Sequence, residues 1–499
     1  LKICVVIASL CPFSREWNDH SLRARLSTCT HRELRNGYTY TMSHDLNVVN
    51  AAVDAALPTA LTELAEMIAI PSVAAKSDSP MEEGAAKVAE LLKKRGFEAE
   101  LIATFGAPPV VFAQNLSAGP DKPTVLFYNH YDVQPAEPLD LWDGDPWTLR
   151  IDGDICYGRG ATDDKGHISA RLMAIDALLA ANNGTLPVNV KFIVEGEEEV
   201  TSLHLAQWID ENRDLLDADV TVWEFGGVDH YGTPEIICGL RGIAYLELHV
   251  QTIAYDGHSG FIGSLFENAA WRLIWAINSI KGPDGRILID GHYAPVIPPD
   301  DYDRELMEKL PNIEDSLLAE YNMPNFLGDV RGVDAKIQQV FEPTATVCGI
   351  GSGWQGEGAK TVLPAKAMAK MDFRLVPDMD PETVIAALQK HLIDHGFADV
   401  QVHYLGGQRP GRVDPRHPMV KKCIDTARTV YGCEPVVVPL VGGSGPIYPF
   451  IKTLGQPVVT CGVGYPGGRA HAPNENLRIS DLLLGAKHTA HFMLSLLEN

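Results

Sequence analysis

Acidic side chains are concentrated at the end of one apolar stretch, VNVKFIVEGEEEV, residues 188–200. The stretch begins like a buried strand and ends in four glutamates within five positions, Glu195, Glu197, Glu198 and Glu199. Two carboxylates held about 4 Å apart repel each other by about 4 kcal/mol at an effective dielectric constant near 20. These glutamates therefore either extend into solvent or surround a cation.

Imidazole and carboxylate side chains recur at the ends of other apolar runs and in the turns that follow them. They are His130 and Asp132 in TVLFYNHYDV, Asp163 and Asp164 in YGRGATDDKG, Glu224 in VTVWEF, and His471 in GYPGGRAHAPNE. In an open α/β sheet the carboxyl ends of the strands converge on one crevice, and imidazole with carboxylate is the ligand set of zinc and similar divalent metals. Each residue alone is more often structural, but together they predict a metal site.

The elements that would position these residues alternate between helices and strands up to about residue 240. Apolar residues spaced three and four apart predict helices in VDAALPTALTELAEMIAI, MEEGAAKVAELLKKRG, HISARLMAIDALLAANNG and LAQWIDENRDLLDA. Short apolar runs predict strands in AELIAT, PPVVFAQN, TVLFYNHYDV, VNVKFIVE and DVTVWEF. This order predicts an α/β sheet covered by helices on both faces.

The pattern changes near residue 240, where GIAYLELHVQTI alternates strictly between apolar and polar residues. Such alternation predicts an antiparallel strand with one exposed face. With AAWRLIWAINSI, AKAMAKMDFRLVP, PETVIAALQKHLIDHG and DVQVHYLGG, it predicts a strand–helix–strand–helix–strand unit. We expect a small α+β domain inserted into the larger one.

The expected domain boundaries follow from these changes in pattern. A catalytic domain would comprise residues 42–240 and 406–499, and the inserted domain would comprise residues 241–405. Residues 1–41 contain three of the nine cysteines and precede Met42, which begins a domain-like helical pattern. We expect residues 1–41 to be upstream or non-native sequence.

Composition excludes several classes of protein. The 499 residues carry a formal net charge of −24, which disfavours nucleic acid and anionic membranes as partners. The sequence has no run of 18 apolar residues of the kind that crosses a membrane. The odd number of cysteines, without C-x-x-C spacing, does not indicate a disulfide framework. Reduced thiols and a cytoplasmic location are expected.

Six motifs occur in a family-specific order: YNHYDVQP, YGRGATDDKG, EGEEE, DGHSG, MDFRLVP and RAHAPNE. Across roughly residues 46–497 the chain resembles the two-metal peptidase family of carnosinase, aminoacylase, acetylornithine deacetylase and glutamate carboxypeptidase. It is most similar to the carnosinase-like dipeptidase branch. The resemblance implies an α/β/α catalytic domain of the zinc-peptidase type, with an inserted ferredoxin-like domain that serves as lid and dimerisation domain.

The resemblance also implies two divalent metal ions, with zinc preferred and manganese or cobalt as alternatives. The implied ligands are His130, Asp163 and Glu224 for one ion, and Asp163, Glu199 and His471 for the other, with Asp163 bridging. Three carboxylates against two divalent ions leave one positive charge, which favours a hydroxide between the ions. Glu224 is displaced by about one position from the branch pattern, so Asp229 remains an alternative.

Two further acids receive roles in catalysis. By resemblance, Glu198 acts as the general base on water and returns the proton to the leaving amine. Asp132 lies two residues beyond His130 on an extended segment, so both side chains point the same way and Asp132 can orient the imidazole. The family also implies a cis peptide between Asp163 and Asp164.

The inserted domain carries the remaining candidates. By resemblance, His258 in YDGHSG reaches the active site of a partner subunit and polarises the scissile carbonyl, which implies a homodimer formed through this domain. Arg374 in MDFRLVP would bind the free carboxylate of the substrate as a bidentate fork. Gly443 and Ser444 in VGGSGP would lie near that same carboxylate.

The expected function is metal-dependent hydrolysis of dipeptides or short peptides that have a free C-terminal carboxylate. The alternative is an N-acyl-amino-acid amidohydrolase of the acetylornithine or succinyl-diaminopimelate type, whose substrate lacks the free amine. A non-catalytic homologue is disfavoured, because Glu198 and the ligand set are present apart from the ambiguity at Glu224.

Overall fold

The structure is a computed structural model that describes residues 45–498. The segment 1–41 that we expect to be upstream lies outside the described residues. The α-helices of the described part are α1 (Leu46–Ile68), α2 (Met81–Lys93), α3 (Lys165–Ala181), α4 (Leu205–Glu211), α5 (Ser259–Ile262), α6 (Ala269–Ile280), α7 (Asp301–Lys309), α8 (Glu314–Glu320), α9 (Gly332–Phe341), α10 (Pro381–Asp394), α11 (Pro418–Tyr431) and α12 (Ile479–Ser495).

The strands that lead to the inserted region are β1 (Glu98–Thr104), β2 (Ala107–Asn115), β3 (Thr124–His130), β4 (Arg150–Asp152), β5 (Ile155–Tyr157), β6 (Asn189–Glu195), β7 (Val220–Trp223), β8 (Gly227–Val228), β9 (Pro234–Ile237) and β10 (Gly239–Leu240). The later strands are β11 (Gly242–Gln251), β12 (Gly257–His258), β13 (Thr344–Ser352), β14 (Val362–Leu363), β15 (Lys366–Leu375), β16 (Gln401–Gln408), β17 (Gly411–Arg412), β18 (Val436–Val438), β19 (Val458–Thr460) and β20 (Asn476–Arg478).

The central sheet has six strands in the order β1-β2-β6-β3-β7-β19. Strands β6, β3, β7 and β19 run parallel to their neighbours within this group, whereas β1 and β2 pair antiparallel at one side. Every residue of β6, β7 and β19 is buried, as is typical of parallel strands covered on both faces. The predicted α/β fold class is confirmed.

Helices pack closely around this sheet. Helices α1, α3 and α12 pack on one another, α2 packs on β1 and β2, and α11 packs on β19. Ionic contacts join α1 and α3 to the turn that follows α2, because Arg95 in that turn donates to Glu63 on α1 and to Asp176 on α3, each at 2.7 Å. Helix α4 is shorter than the predicted LAQWIDENRDLLDA helix, since it ends at Glu211 and continues as a separate turn.

A second sheet has the antiparallel order β13-β15-β11-β16 and its own hydrophobic core with helices α6 and α10. Burial alternates along β11 from Gly242 to Val250, as the sequence pattern predicts. The sequence predicts three strands for this unit, but the sheet has four. Strand β13, TATVCGIGS, lies at the sheet edge with most of its side chains half-exposed or exposed, so it lacks a clear period-two pattern.

Helices α7 to α9, between the two halves of the second sheet, were not predicted from the sequence. Met307, Val340 and Phe341 from this stretch share a small core with Leu440, which lies in the C-terminal part of the chain. Part of the stretch expected in the inserted domain therefore packs on the catalytic part. Within residues 45–498, no helix combines the length and apolar character that a membrane crossing requires.

Candidate metal centre

The predicted site residues follow neighbouring parallel strands. Strand β3 ends at His130, β6 is followed by a single 3₁₀ turn at Glu198–Val200, and β7 is followed directly by Glu224. Because β6 and β7 both pair with β3 in parallel, these chain segments leave the sheet at the same edge.

Asp163 lies between two groups of potential ligands. Its Oδ1 is 3.1 Å from Nε2 of His130, and its Oδ2 is 2.9 Å from Nε2 of His471. Nε2 of His130 is also 3.7 Å from Oε2 of Glu224, and Nε2 of His471 is 3.2 Å from Oε2 of Glu199. The structure thus brings the five predicted ligands together, with one carboxylate facing both histidines as a bridging ligand requires.

Asp164 is close to the same group, which the sequence analysis did not anticipate. One of its oxygens lies within 4.8 Å of the potential ligand atoms of His130 and Glu224. Its Oδ2 accepts hydrogen bonds from the Asn129 side chain at 2.7 Å and from the His130 main chain at 3.1 Å. Asp164 therefore holds the end of β3 in place, and the Asp163–Asp164 peptide is cis as the resemblance implied.

Asp132 connects the histidine strand to the glutamate turn. Nδ1 of His130 lies 3.0 Å from the Asp132 carbonyl oxygen and 3.3 Å from its Oδ1. Two acceptors beside Nδ1 favour the proton there, so Nε2 presents its lone pair towards Asp163 and Glu224. The buried Asp132 carboxylate also accepts the main-chain N–H groups of Glu198 and Glu199, at 3.3 and 3.0 Å.

The acids of this group fit divalent cations. Desolvation, reinforced by nearby acids such as Asp163 and Glu199, raises the pKa of Glu198 to about 8, and desolvation raises the pKa of Glu224 well above its usual range. Oε2 of Glu224 is buried and has no hydrogen-bond partner among the described residues. A buried carboxylate oxygen beside an imidazole nitrogen requires a proton or a cation, and divalent ions would supply that charge.

The other two glutamates of residues 188–200, Glu195 and Glu197, form hydrogen bonds outside the group of candidate ligands. Glu195 is buried and accepts hydrogen bonds from the hydroxyls of Tyr128 at 2.6 Å and Ser202 at 2.9 Å. Glu197 lies 2.9 Å from Nδ1 of His204. The glutamate run is therefore divided between the metal centre and its supporting framework.

Asp229, the alternative to Glu224, closes a turn instead. Its Oδ1 accepts the main-chain N–H groups of Tyr231 at 2.7 Å and Thr233 at 2.9 Å. The geometry favours Glu224 as the third-strand ligand, because Glu224 directly faces His130.

Glu475 was missed by the sequence analysis, although it lies only four residues after His471. Its fully buried carboxylate accepts main-chain N–H groups of Gly160, Thr162 and Asp163, each at 3.0 Å, and the guanidinium of Arg159 at 2.6 Å. One carboxylate thus holds the loop that carries Asp163 against the loop that carries His471. The sequence signal was its place at the end of RAHAPNE, within the family motif.

The substrate-binding candidates are divided between two places. Nη1 of Arg374 donates to Oγ of Ser444 at 3.0 Å, and the carbonyl oxygen of neighbouring Gly443 accepts the main-chain N–H of Arg241. The exposed His258 instead accepts a hydrogen bond from Gly260 and lies 3.4 Å from the Thr361 hydroxyl, within the second sheet's own unit.

Comparison with known proteins identifies the family of the chain. Residues 126–495 match Peptidase family M20/M25/M40. The chain belongs to this family. The resemblance read from the motifs is confirmed, and so is the expectation that the protein is a metallopeptidase.

Several relatives span most of the chain. The Cys-Gly metallodipeptidase DUG1 of Saccharomyces cerevisiae is 30% identical over 481 residues, covering 91% of this chain and 98% of that protein. The Beta-Ala-His dipeptidase of Homo sapiens is 31% identical over 417 residues, covering 78% of each. The solved M20 family metallo-carboxypeptidase Sso-CP2 from Sulfolobus solfataricus is 36% identical with a TM-score of 0.80, covering 87% of this chain and 98% of that one.

A Glu475→Gln substitution tests whether the buried carboxylate positions Asp163. Glutamine keeps the shape but leaves Arg159 without its counter-ion, so we expect divalent-metal binding to weaken by about 10- to 100-fold, as for other residues that support metal ligands. Metal affinity is measured by calorimetry on the metal-depleted protein, and kcat/KM is measured at saturating metal.

The matched control is Glu63→Gln, which changes the other buried glutamate–arginine pair described above. We expect this variant to lose stability while keeping wild-type metal affinity. Equal loss of metal affinity in both variants would show that Glu475 contributes only general stability.

Proposed function

We propose that the protein is a dipeptidase that hydrolyses the amide bond of dipeptides or short peptides with a free C-terminal carboxylate. The observation that carries this proposal is the Asp163 carboxylate between His130 and His471, with the half-buried Glu198 beside it. The names of two relatives, which specify Cys-Gly and β-Ala-His, support a dipeptide as the substrate class.

Two divalent ions, zinc by preference and manganese or cobalt as alternatives, would be held by the five ligands. When bound, they would polarise the scissile carbonyl and lower the pKa of water. His130 would be held in its metal-binding tautomer by Asp132. Asp163 would serve as a ligand held in place, because Glu475 accepts the main-chain N–H groups of Thr162 and Asp163 and so restrains its loop.

Glu198 is the general base of this mechanism. Its main-chain N–H is fixed by Asp132, while its neighbour Glu199 faces His471, so the turn separates a ligand from a free carboxylate. The Glu198 carboxylate takes a proton from the attacking water and delivers it to the nitrogen of the leaving amine. One group can serve both proton transfers, because the acid formed in the first transfer is the proton donor needed in the second.

Arg374 and Ser444 form the proposed subsite for the substrate carboxylate. A guanidinium can bind a carboxylate through two parallel hydrogen bonds, and the adjacent hydroxyl can donate a third. The loop with Gly443 and Ser444 continues to Gly445, where an added Cβ would lie 3.9 Å from Oε1 of Glu198. This proximity supports a substrate that reaches from the carboxylate subsite to the proton-transferring acid.

A homodimer formed through the second sheet completes the proposal. The exposed side chains Trp271, Ile274 and Trp275 on α6 lie beside the edge strand β13, whose Val347 and Ile350 are also exposed. Apolar side chains next to an unpaired strand edge are typical of an interface with another chain. His258 of one chain would then donate to the developing oxyanion in the partner's site.

A cytoplasmic location is part of the same proposal. Cys348 is exposed and forms no disulfide, and the buried Cys156 and Cys238 also form none. Thiols in this state are typical of a reducing compartment.

A Glu198→Gln substitution tests the general base. We expect kcat for Ala-His and β-Ala-His to fall by about 10²- to 10⁴-fold, with metal content unchanged because Glu198 is not among the ligands. Steady-state hydrolysis and elemental analysis are done on the same samples. Glu197→Gln, one position away and paired with His204, is the matched control and is expected to retain most activity.

The same assay separates the two classes of substrate. Hydrolysis of Ala-His without hydrolysis of N-acetyl-His supports a dipeptidase. Preference for N-acetyl-His would reject the proposed dipeptidase and favour an N-acyl-amino-acid amidohydrolase. A wild-type rate in Glu198→Gln would reject the assigned base.

Arg374→Ala tests the carboxylate subsite. Loss of charge-assisted hydrogen bonds worth about 1.5–3 kcal/mol should lower kcat/KM for Ala-His by about 10- to 100-fold. The control substrate is the C-terminal amide of Ala-His, for which wild type and variant should differ little. An equal loss on both substrates would show that Arg374 does not recognise the carboxylate.

Mixing two inactive variants tests the dimer and the role of His258 together. In a heterodimer of His258→Ala with Glu198→Gln, the His258→Ala chain keeps its own base and receives the histidine of its partner. Equimolar co-expression should therefore restore about a quarter of wild-type activity, since about half the dimers are mixed and each has one complete site. Absence of recovery despite mixed dimers would mean that His258 does not act across the interface.

A further inference from the structure

A second group of potential metal ligands lies in the C-terminal part of the chain and shares no residue with the centre at Asp163. Cys423 is on α11, Cys461 directly follows β19, and His488 is on α12. Both cysteines are fully buried and His488 is 2% exposed. Neither the motifs nor the proposed dipeptidase mechanism uses any of these three side chains.

The three donor atoms have the spacing of ligands around one ion. The Sγ atoms of Cys423 and Cys461 are 3.9 Å apart, and Nε2 of His488 lies 3.7 Å from the first and 3.9 Å from the second. Sulfur and nitrogen ligands at about 2.3 and 2.0 Å from zinc, with bond angles of about 109–120°, stand roughly 3.5–4.0 Å apart. An ion could therefore enter between them with little rearrangement of the side chains.

The charges around the group favour a thiolate. Burial by itself raises the pKa of the Cys461 thiol, but the hydrogen bond from Cys423 and the nearby His488 and Arg171 bring it well below its usual range. Arg171 also donates through Nη1 to the Cys461 carbonyl oxygen. Thiolate and imidazole together are a ligand set that selects zinc over hard cations such as magnesium.

Other buried cysteines of the described chain have different surroundings. The Cys156 thiol donates to the Leu477 carbonyl oxygen, and the Cys238 thiol points to the carbonyl oxygen of Ile236. Those contacts are ordinary thiol–backbone hydrogen bonds, without an imidazole or a second sulfur. The convergence of two thiols and an imidazole sets Cys423 and Cys461 apart.

We propose that Cys423, Cys461 and His488 form a structural zinc site, separate from the two-metal centre. Binding would release the Cys423 thiol proton and one proton of an imidazolium at His488, the Nε2 proton that faces the Cys423 carbonyl oxygen at 3.0 Å, so that Nδ1 keeps its proton and Nε2 becomes a neutral ligand. Two thiolates neutralise the charge of the ion. The carbonyl oxygen of Thr460 accepts the Cys423 thiol at 3.4 Å, and it would become a candidate fourth ligand once that thiol proton is released.

This site would stabilise the framework of the catalytic centre without taking part in the reaction. It would join α11, the end of β19 and α12 at one point. Arg171 connects this point to the metal centre, because it donates to the carbonyl oxygens of Cys461 and of Trp223, the residue before Glu224. The carboxyl ends of β7 and β19 would thus be held at a fixed separation.

Cobalt loading of the full-length protein tests the proposal. The ligands of the proposed two-metal centre are nitrogen and oxygen atoms, whereas a thiolate bound to Co²⁺ gives an intense near-ultraviolet charge-transfer band. We expect that band in protein produced with Co²⁺, together with about three cobalt ions per chain: two catalytic and one bound by the thiolates. Cys461→Ser should lose the band and one ion, while the control Cys156→Ser should keep both.

Crystals of the cobalt-loaded wild-type protein provide a readout that does not depend on how well the variants fold. An anomalous difference peak between Cys423, Cys461 and His488 is expected. Absence of that peak and of the charge-transfer band in the wild type would overturn the proposal. A band that persists unchanged in a folded Cys461→Ser protein would also overturn it, by assigning the band to other cysteines.

Discussion

Crowding of carboxylates at the carboxyl ends of parallel strands is the constraint on which the remainder of this structure depends. Glu198, Glu199 and Glu224 lie close to Asp163, and burial, reinforced by repulsion from neighbouring acids, raises the pKa of Glu198 and of Glu224. Histidines and bound cations are the groups that can balance such charge. The protein therefore combines an apolar sheet, which supplies a rigid frame, with an edge that is stable only when its charges are compensated.

The framework around the edge explains how the ligands are held in place. Asp132 binds the turn of Glu198 and Glu199, and Glu475 binds the loop of Asp163 through four donors. Both are acids that accept hydrogen bonds from main-chain N–H groups and are not among the candidate metal ligands. The acids of the site thus have two roles. Some are candidate metal ligands, and others hold the main chain of those ligands in place.

The second sheet has its own hydrophobic core and places polar side chains close to the catalytic part of the chain. Its buried face packs on α6 and α10, which leaves Arg374 at the other face, free to contact Ser444 of the catalytic part. The proposed recognition of a substrate carboxylate is thereby separated from the proposed metal binding. The proposed carboxylate subsite and the candidate metal centre belong to parts of the chain with separate hydrophobic cores, and a bound peptide would span the two.

The amino-acid sequence by itself determined the α/β fold class, the alternating strand β11 and the set of five candidate ligands. Those features depend on local periodicity, on strand ends and on short motifs, which are properties of neighbouring residues. Strand β13 could not be predicted from local patterns, because an edge strand with exposed side chains and glycines has no clear alternation of apolar and polar residues. Only the tertiary structure decided that Glu475 supports Asp163 and that Cys423, Cys461 and His488 converge, since these residues lie far apart in the chain. Contacts of that kind arise from the packing of whole elements, and no local pattern encodes which distant side chains will meet.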